Sequence, residues 1–289
     1  MRTLFVTAAD ESYVPLLRGL VLSLQQWQPS PYTAFAFFDL GLSAQSRNWI
    51  GRYAAHVVEP GWDLPVSDHT RTHESHARAL TVRPFLPDYF PGYDIYQWID
   101  PDCWVQERYA LDWYGIAAAR GALAITPQVH HAYRHSQASF AWRAQRMHAY
   151  FGPQAVQRLS WASYVNAGVF ALPADAPHWN AWRREFAAGL KATEGRLCCD
   201  QTALNHVLWA DNLPVATLPA LCNWLCHLAV PHYDAVRQRF CEPATPGQAL
   251  GILHLAAGTK NLRIKAKDSN VEREVDLRFP APQRQFQAP

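Results

Sequence analysis

The sequence predicts an α/β fold with a mostly parallel central sheet flanked by helices. Short apolar runs typical of buried strands alternate with stretches in which apolar residues recur every three or four positions. An order of strand, helix and strand places parallel strands side by side, with helices on both faces. The chain has 289 residues, 49% of them hydrophobic, which is enough for one large core.

The first half of the chain follows this alternation closely. We predict a strand at residues 3–8, where the run is apolar without a helical period. A helix at 13–27 follows, because Asp10 and Ser12 suit a helix start and the apolar positions share one helix face. Pro29 and Pro31 should end this helix. Next come a strand at 33–40, a helix at 43–54 and a strand at 56–59.

The second half contains further elements of both kinds. We predict strands at 94–99, 121–126, 164–171 and 251–255, and helices at 137–150, 178–190 and 200–210. From Lys260 the chain is more charged and less apolar. We therefore expect one domain over residues 1–260 and a C-terminal tail over 261–289 that wraps the surface.

Composition excludes several classes of protein. A net charge of +2 gives no reason to expect nucleic acid as a partner, and 17% charged residues argues against disorder. The chain shows no secretory signal and no apolar run long enough to span a membrane. We expect a cytoplasmic protein whose six cysteines are reduced. The high aromatic content suits a carbohydrate binder, although most such rings belong to cores.

The triplet Asp100-Pro101-Asp102 follows the predicted strand at 94–99 and carries the most informative chemistry. Two carboxylates at i and i+2 in extended backbone project to the same side, and Pro101 keeps Asp100 out of the helical region. Apolar residues flank the triplet, so the paired acids need neutralisation. A hard divalent cation that also binds phosphate oxygens would provide it.

Six short blocks resemble, in order, the motifs of one enzyme family: Thr7–Tyr13, Arg83, Trp98–Asp102, Tyr164–Phe170, Asp200–Asn205 and His254–Lys260. Together they make the chain similar to glycosyltransferase family 8, retaining enzymes of the GT-A fold, a Rossmann-like fold that binds nucleotide-diphospho-sugars. The resemblance extends from residue 3 to about residue 260. It implies transfer of a hexose, most readily galactose or glucose, from a UDP-sugar to a glycan or glycolipid acceptor.

The resemblance also implies roles for individual residues. Asp100, Asp102 and His254 would be the metal ligands, and an imidazole beside two carboxylates favours Mn²⁺, with Mg²⁺ as the alternative. Gln201 and Asp200 would be the catalytic residues, and they would stabilise a short-lived oxocarbenium ion because an amide is a poor nucleophile. The expected donor-binding residues are Ala8, Asp10, Tyr13, Arg83, Asn166, Ala167, Gly168, Gly258 and Lys260.

Three positions depart from the family pattern. Thr126 stands where an acid is expected, Thr202 replaces the second acid of an Asp-Gln-Asp motif, and Asn261 replaces a proline after Lys260. These departures bear on sugar choice. Thr126 and Asn261 also support an alternative, a non-catalytic nucleotide-sugar or carbohydrate-binding module. A nucleotidyltransferase is a third option, but Ala8–Glu11 is not the glycine-rich phosphate loop expected of one.

Two groups of histidines could be metal sites, but a simpler interpretation is available for both. His69, His73 and His76 share one helical face, as do His131 and His135, and such groups can bind zinc. Without a His-Glu-x-x-His motif they are more typical of solvated histidines.

Asp10 and the basic residues of the tail also allow a functional and a purely structural interpretation. Asp10 could act only as a helix cap. The basic residues of the tail allow peripheral contact with the inner membrane face, although a solvated charge run explains them better. They are Lys260, Arg263, Lys265 and Lys267. No sequence feature bears on the oligomeric state.

Overall fold

The computed structural model describes residues 1–27, 31–74, 76–159, 161–245, 247–268 and 271–279. The strands of this part of the chain are β1 (Thr3–Ala9), β2 (Thr33–Asp39), β3 (His56–Val58), β4 (Ile95–Ile99), β5 (Cys103–Val105), β6 (Leu123–Pro127), β7 (Val165–Pro173), β8 (Val215–Thr217), β9 (Trp224–Leu225), β10 (His232–Asp234), β11 (Arg239–Cys241), β12 (Ile252–His254), β13 (Arg263–Asp268) and β14 (Val271–Asp276). The α-helices are α1 (Val14–Gln26), α2 (Ala44–Ile50), α3 (Asp68–His73), α4 (Ala77–Val82), α5 (Leu86–Tyr89), α6 (Arg108–Ala118), α7 (Gln137–Phe151), α8 (Pro153–Arg158), α9 (His178–Ala192) and α10 (Asp200–Ala210). Short 3-10 helices span Glu11–Tyr13, Arg83–Phe85, Ala220–Asn223 and Ala257–Thr259.

The central sheet has seven strands in the order β3-β2-β1-β4-β7-β6-β8. β7 runs antiparallel to its neighbours β4 and β6, and the other neighbouring pairs are parallel. The predicted α/β class with a mostly parallel sheet is therefore confirmed. The strands predicted at 3–8, 33–40, 56–59, 94–99, 121–126 and 164–171 all belong to this sheet.

Helices cover both faces of the sheet, as predicted. In β1, Leu4, Val6 and Ala8 pack in one core while the alternate residues Phe5 and Ala9 face the other. α9 and α10 contribute to the first core, and α1, α2 and α6 to the second. The strands at the centre are covered on both sides, which is why they are apolar without interruption.

The helices predicted at 13–27, 137–150, 178–190 and 200–210 are observed as α1, α7, α9 and α10. The helix predicted at 43–54 ends earlier, at Ile50, and a turn follows it. Pro29, predicted to end the first helix, lies outside the described residues. Sequence patterns missed α6 and the short helices α3, α4, α5 and α8. A helix of one or two turns has too few positions to show a period.

The predicted strand at 251–255 lies outside the central sheet. It is β12, which pairs antiparallel with β5 and parallel with β9 in a separate three-stranded sheet. β5 begins directly after the Asp100–Asp102 turn. The small sheet therefore continues the chain beyond the carboxyl end of β4 and brings His254 opposite Cys103.

β7 has an irregular pairing next to the Asp100–Asp102 turn. Against β6, Ile125 pairs with Phe170 but Thr126 pairs with Asn166, so Ala167–Val169 are passed over. A bulge of this kind bends a strand and re-aims its side chains. It changes which face of the sheet each residue of β7 meets.

Residues after 260 pack against the small sheet. β13 and β14 form an antiparallel hairpin, and the following Leu277 is fully buried. Trp104 Nε1 donates a hydrogen bond to the Leu277 carbonyl at 2.8 Å. Arg263 Nη1 lies 3.7 Å from Glu274 Oε2, while the side chain of Lys267 lies outside the described side chains. The domain boundary at residue 260 stays a prediction.

Two further observations bear on the cellular setting. Within the described ranges, every helix is too short or too polar to cross a bilayer. All six cysteines carry free thiols.

Candidate active site

A cavity of about 160 Å³ lies at the carboxyl ends of β1 and β4. This is the edge where open α/β sheets place their ligands. Its walls come from the end of β1 and the turn after it, from α4 and its flanking residues, and from the turn after β4. The polar lining residues are Asp10, Tyr13, His76, Arg83, Asp100 and Asp102.

Asp100 is held by several partners at the end of β4. Its backbone N–H donates to the Gly168 carbonyl at 2.7 Å, which ties it to the bulge in β7. Its Oδ1 accepts a hydrogen bond from Trp98 Nε1 at 2.7 Å and another from Arg83 Nη2. These contacts leave Oδ2 as the oxygen that faces His254, 3.8 Å from Nε2.

Asp102 and His254 meet because β5 and β12 pair. The Leu255 N–H donates to the Asp102 carbonyl at 2.9 Å, one step beyond the Cys103–His254 pair. His254 Nε2 then lies 3.3 Å from Asp102 Oδ1. The structure therefore brings together all three predicted metal ligands.

Asn223 fixes the orientation of the His254 ring. Its Oδ1 lies 3.0 Å from His254 Nδ1, and its Nδ2 donates to Asn166 Oδ1 at 2.9 Å. An acceptor at Nδ1 assigns the ring proton to that nitrogen and leaves the Nε2 lone pair facing the carboxylates. Sequence patterns did not indicate Asn223. The one available signal was a single amide inside the apolar run 220–225.

The charges of this cluster are strongly coupled. Burial raises the pKa of Asp100, and Arg83 offsets only part of that rise. Burial would also raise the pKa of Asp102, but His254 and Lys260 outweigh it and hold the pKa below the ordinary value. Burial would lower the pKa of His254, yet Asp102 and Asp100 raise it above its ordinary value. A positive charge between the two carboxylates and the imidazole therefore stabilises the cluster. Either a proton or a bound cation can supply that charge.

Asp102, Cys103 and His254 offer ligand atoms that all lie within 4.8 Å of one another. Cys103 was not predicted to be part of the site. Burial raises the pKa of the Cys103 thiol well above its usual range. With Asp100 Oδ2 close by, the oxygen and nitrogen donors suit a divalent cation, and the residues present fit such a site.

Gly168 leaves the space that the cluster occupies. A β-carbon at this position would lie 2.7 Å from Asp100 Oδ2 and 2.9 Å from Asn166 Oδ1, and it would also overlap His254 Cε1. Because its φ lies outside the left-handed region, glycine is required here for space and not for backbone conformation.

Asn166 and Gln201 form a second hydrogen-bonded layer beside the cluster. Asn166 Oδ1 accepts from the Gly168 N–H at 3.0 Å. Gln201 Oε1 accepts from the Ala167 N–H at 2.9 Å and from Asn166 Nδ2 at 3.2 Å. The amide of Gln201 therefore has a defined orientation.

Arg83 links the cluster of Asp100, Asp102 and His254 to the start of α10. Its Nη1 donates to Asp200 Oδ2 at 2.8 Å and its Nη2 pairs with Asp100, while the guanidinium lies 4.8 Å from the centre of the Trp98 ring. The side chain is buried, and its Nε has no partner among the described residues. Both outer nitrogens of this predicted donor-binding residue are thus held by carboxylates.

Tyr13 lines the cavity, and Lys260 packs against Tyr13 and Asp102. Lys260 Nζ lies 4.1 Å from the centre of the Tyr13 ring, contacts the Tyr13 hydroxyl, and lies 3.8 Å from Asp102 Oδ2. Asp10 caps the 3-10 helix after β1, because its Oδ1 accepts from the Ser12 N–H at 3.0 Å and the Tyr13 N–H at 3.3 Å. Ala8 lines the cavity, and Gly258 has open space where a side chain would be.

The positions that depart from the family pattern lie away from the cavity lining. Thr126 is buried and hydrogen-bonded to the Tyr114 hydroxyl at 2.7 Å. Thr202 is buried and donates to Cys199 Sγ at 3.1 Å. Asn261 is exposed in the turn after Lys260.

The histidine groups considered as rival metal sites separate in the fold. The His69 and His73 rings lie 4.7 Å apart, but α3 ends at His73 and His76 instead lines the cavity. His135 Nε2 contacts the Gln128 carbonyl at 2.9 Å and His131 Nε2 lies 3.4 Å from Glu242 Oε1, so these two do not form a helical pair. His130, His131 and Glu242 form a separate group whose ligand atoms lie close together.

No protein-family model matches the sequence, and no curated protein is significantly similar to it. Solved structures do match. The galactosyltransferase LgtC, in complex with donor and acceptor sugar analogues, is 18% identical with a TM-score of 0.54, and the match covers 88% of this chain and 87% of LgtC.

Two other matches are glycosyltransferase structures. The bifunctional glycosyltransferase WbbM is 14% identical with a TM-score of 0.56, covering 89% of this chain and 46% of WbbM. Mouse xyloside xylosyltransferase 1 is 13% identical with a TM-score of 0.52, covering 89% and 98%. At these identities the matches establish a shared fold, and the predicted GT-A fold is confirmed.

Proposed function

We propose that this protein is a retaining glycosyltransferase of family 8 that moves a hexose, galactose or glucose, from a UDP-sugar to a glycan or glycolipid acceptor. The observation that carries the proposal is the convergence of Asp100, Asp102 and His254 beside one cavity in a GT-A fold. Asp100 and Asp102 lie in the turn after β4, His254 ends β12, and the family resemblance implied that the three form one site.

The donor set of the cluster supports Mn²⁺, with Mg²⁺ as the alternative. Asp100, Asp102 and His254 would hold the ion, since Asn223 directs the His254 Nε2 lone pair toward the carboxylates. A bound divalent cation would supply Lewis-acid stabilisation of the charge that develops on the departing UDP.

The other residues of the cavity would bind the donor. Lys260 carries a positive charge at the cavity wall beside Asp102 and Tyr13, where it suits a diphosphate. Ala8 leaves room for close approach of the nucleoside, and Tyr13 offers a ring beside it. Asp10, already engaged as a cap, has its carboxylate at the same wall and can accept from ribose or base donors.

Gln201 and Asp200 would act at the sugar. Arg83 holds Asp200, and the Ala167 N–H holds Gln201, so both groups are oriented in advance. The bond between the anomeric carbon and the UDP oxygen breaks with its electron pair leaving on UDP. The acceptor oxygen bonds to the same face, and its proton passes to the departing phosphate oxygen. Retention at the anomeric carbon follows.

The test is UDP release from UDP-galactose and UDP-glucose with a panel of glycan and glycolipid acceptors, with Mn²⁺ or with a chelator. We expect metal-dependent release in the wild type, loss of release in Asp102→Asn, and retained α-configuration in the product by NMR. Asp175→Asn, at an exposed turn, is the matched control. Donor binding without release for any acceptor would identify a binding module instead, and no binding of either donor would overturn both.

A further inference from the structure

Arg143, in α7, is a half-buried cation without an acidic partner. Its Nη2 contacts Gln128 Oε1 and lies 3.1 Å from His135 Nδ1. Within the part of the chain that the structure describes, no carboxylate pairs with this guanidinium, and its Nε and Nη1 have no hydrogen-bond partner. Neither nitrogen belongs to the fully buried polar atoms without partners, so a ligand can reach both.

The charge on Arg143 is therefore poorly compensated. Burial lowers the pKa of Arg143 below its ordinary value, and Tyr164 offsets part of that fall. An arginine stays protonated in a protein, so this site holds a cation that is partly removed from water. Such a cation costs free energy unless an anion pairs with it. An anionic ligand would supply the missing partner.

This cation lies beside the residues proposed to act at the sugar. The guanidinium is 4.8 Å from the centre of the Tyr164 ring, and the Tyr164 carbonyl accepts from the Gln128 N–H at 2.7 Å. Tyr164 directly precedes β7, and Asn166 near the start of that strand is hydrogen-bonded to Gln201. Arg143 is thus linked to the candidate active site through the first residues of β7.

His227 borders the same region from the small sheet. It follows β9, whose Leu225 pairs with His254 of β12. The pKa of His227 is lowered to about 4, mainly by burial and also by the positive charges of His254 and Arg143. His227 therefore lies near both of these groups, and the region between them is positively charged.

The position of Arg143 in the fold separates it from the donor cavity. That cavity lies at the ends of β1 and β4, whereas Gln128 follows β6, which is divided from β4 by β7. In α7, Phe140 lies three residues before Arg143 on the same helix face, and its exposed fraction is 51%. An exposed ring beside a cation suits a sugar that stacks on the ring and carries an acidic group.

We propose that Arg143 binds an oxyanion on the acceptor, so that the acceptor is an acidic glycan bearing a phosphate or a carboxylate. Gln128 Oε1 and His135 Nδ1 hold Nη2, which leaves Nη1 and Nε to donate to the oxyanion. The role of this site depends on the proposed transferase function and defines the class of its acceptor.

The test compares galactose, galactose 6-phosphate and galacturonate, titrated by calorimetry into the full chain with saturating UDP and Mn²⁺. UDP and Mn²⁺ occupy the proposed diphosphate site, so that an acidic sugar does not bind there. We expect at least one acidic sugar to bind about tenfold or more tightly than galactose, since hydrogen bonds to charged groups are the stronger ones. Which of the two acids is preferred distinguishes phosphate from carboxylate.

Arg143→Gln should remove this preference and leave the affinities for galactose and UDP unchanged. Those two unchanged affinities show that the variant is folded. Arg120→Gln is the matched control, because Arg120 is exposed and precedes β6, at the opposite edge of the sheet from Gln128. It changes the net charge by the same amount and should keep the preference.

Three results would overturn the proposal. They are equal affinities for the acidic and neutral sugars, a preference that persists in Arg143→Gln, and binding of inorganic phosphate as tight as that of galactose 6-phosphate. Failure of the wild type to bind UDP with Mn²⁺ would instead count against the transferase proposal. The comparison of acidic sugars between the wild type and Arg143→Gln would still decide whether Arg143 binds an oxyanion.

Discussion

His254 lies so close to Gly168 that its ring can occupy this position only because residue 168 has no side chain. A β-carbon at position 168 would overlap His254 Cε1 and would lie 2.7 Å from Asp100 Oδ2. The glycine thus provides the space in which Asp100 and His254 lie together, although it offers no ligand atom. Several consequences of this packed, charged cluster can be measured.

Gly168→Ala should reduce both Mn²⁺ affinity and UDP release, by about tenfold or more, because His254 or Asp100 must move. Calorimetry and a UDP-release assay measure the two effects. Gly61→Ala is the control, since a β-carbon there meets only the Tyr89 hydroxyl at 3.9 Å. Wild-type Mn²⁺ affinity in Gly168→Ala would show that the cluster tolerates the added carbon and would contradict the argument.

Asp102→Asn should weaken Mn²⁺ binding by more than about 100-fold, beyond the ~10–100-fold typical of an outer residue. The amide keeps the shape of the carboxylate but removes its charge, so folding should be preserved. Electron paramagnetic resonance of free Mn²⁺ measures the affinity, with Asp175→Asn as the control. If Asp102→Asn binds the ion as tightly as the wild type, the cluster is not the metal site.

Asn223→Leu should weaken Mn²⁺ binding by ~10–100-fold through the orientation of His254. Asn223→Asp keeps an acceptor for His254 Nδ1 and should lose less affinity, although it gives up the hydrogen bond to Asn166. The decisive comparison is whether Asn223→Leu loses more Mn²⁺ affinity than Asn223→Asp. Equal losses in both would assign the effect to the Asn166 contact instead.

Arg83→Met should lower the free energy of unfolding by about 3–5 kcal/mol, because it leaves the carboxylates of Asp100 and Asp200 buried without their partner. Urea denaturation measures the change. Arg196→Met removes the cation of an exposed pair with Glu194 and should change stability little. If the free energy of unfolding changes little in both variants, water reaches the carboxylates of Asp100 and Asp200.

His178 should make folding sensitive to acid. Burial lowers its pKa below 6.5, and its Nε2 lies 3.0 Å from the Pro214 carbonyl. The folded state therefore favours the neutral ring, while the unfolded chain takes up a proton near the ordinary pKa. The stability that the folded state gains by keeping this ring neutral is present in full above pH 6.5 and is lost as the pH falls.

His178→Gln keeps a donor for the Pro214 carbonyl without titrating. Urea unfolding at about pH 8 and about pH 5 should show a larger loss in the wild type than in this variant, by at most about 1.4 kcal/mol per pH unit. Parallel losses would mean that His178 does not contribute to the acid sensitivity.

The fold class and most of the central sheet could be predicted from the pattern of apolar residues. β1, β2, β4 and β7 are apolar runs because helices cover them on both faces, and that burial is visible as composition. The sequence also indicated Asp100 and Asp102, since paired acids in an apolar setting are informative through local spacing alone.

How residues far apart in the chain come together depends on long-range strand pairing. His254 belongs to a separate small sheet, and it reaches Asp102 because β5 and β12 pair. Pairing between strands far apart in the chain leaves no periodic trace in either segment. The same reason hides Asn223, which precedes β9 and reaches His254 because β9 pairs with β12.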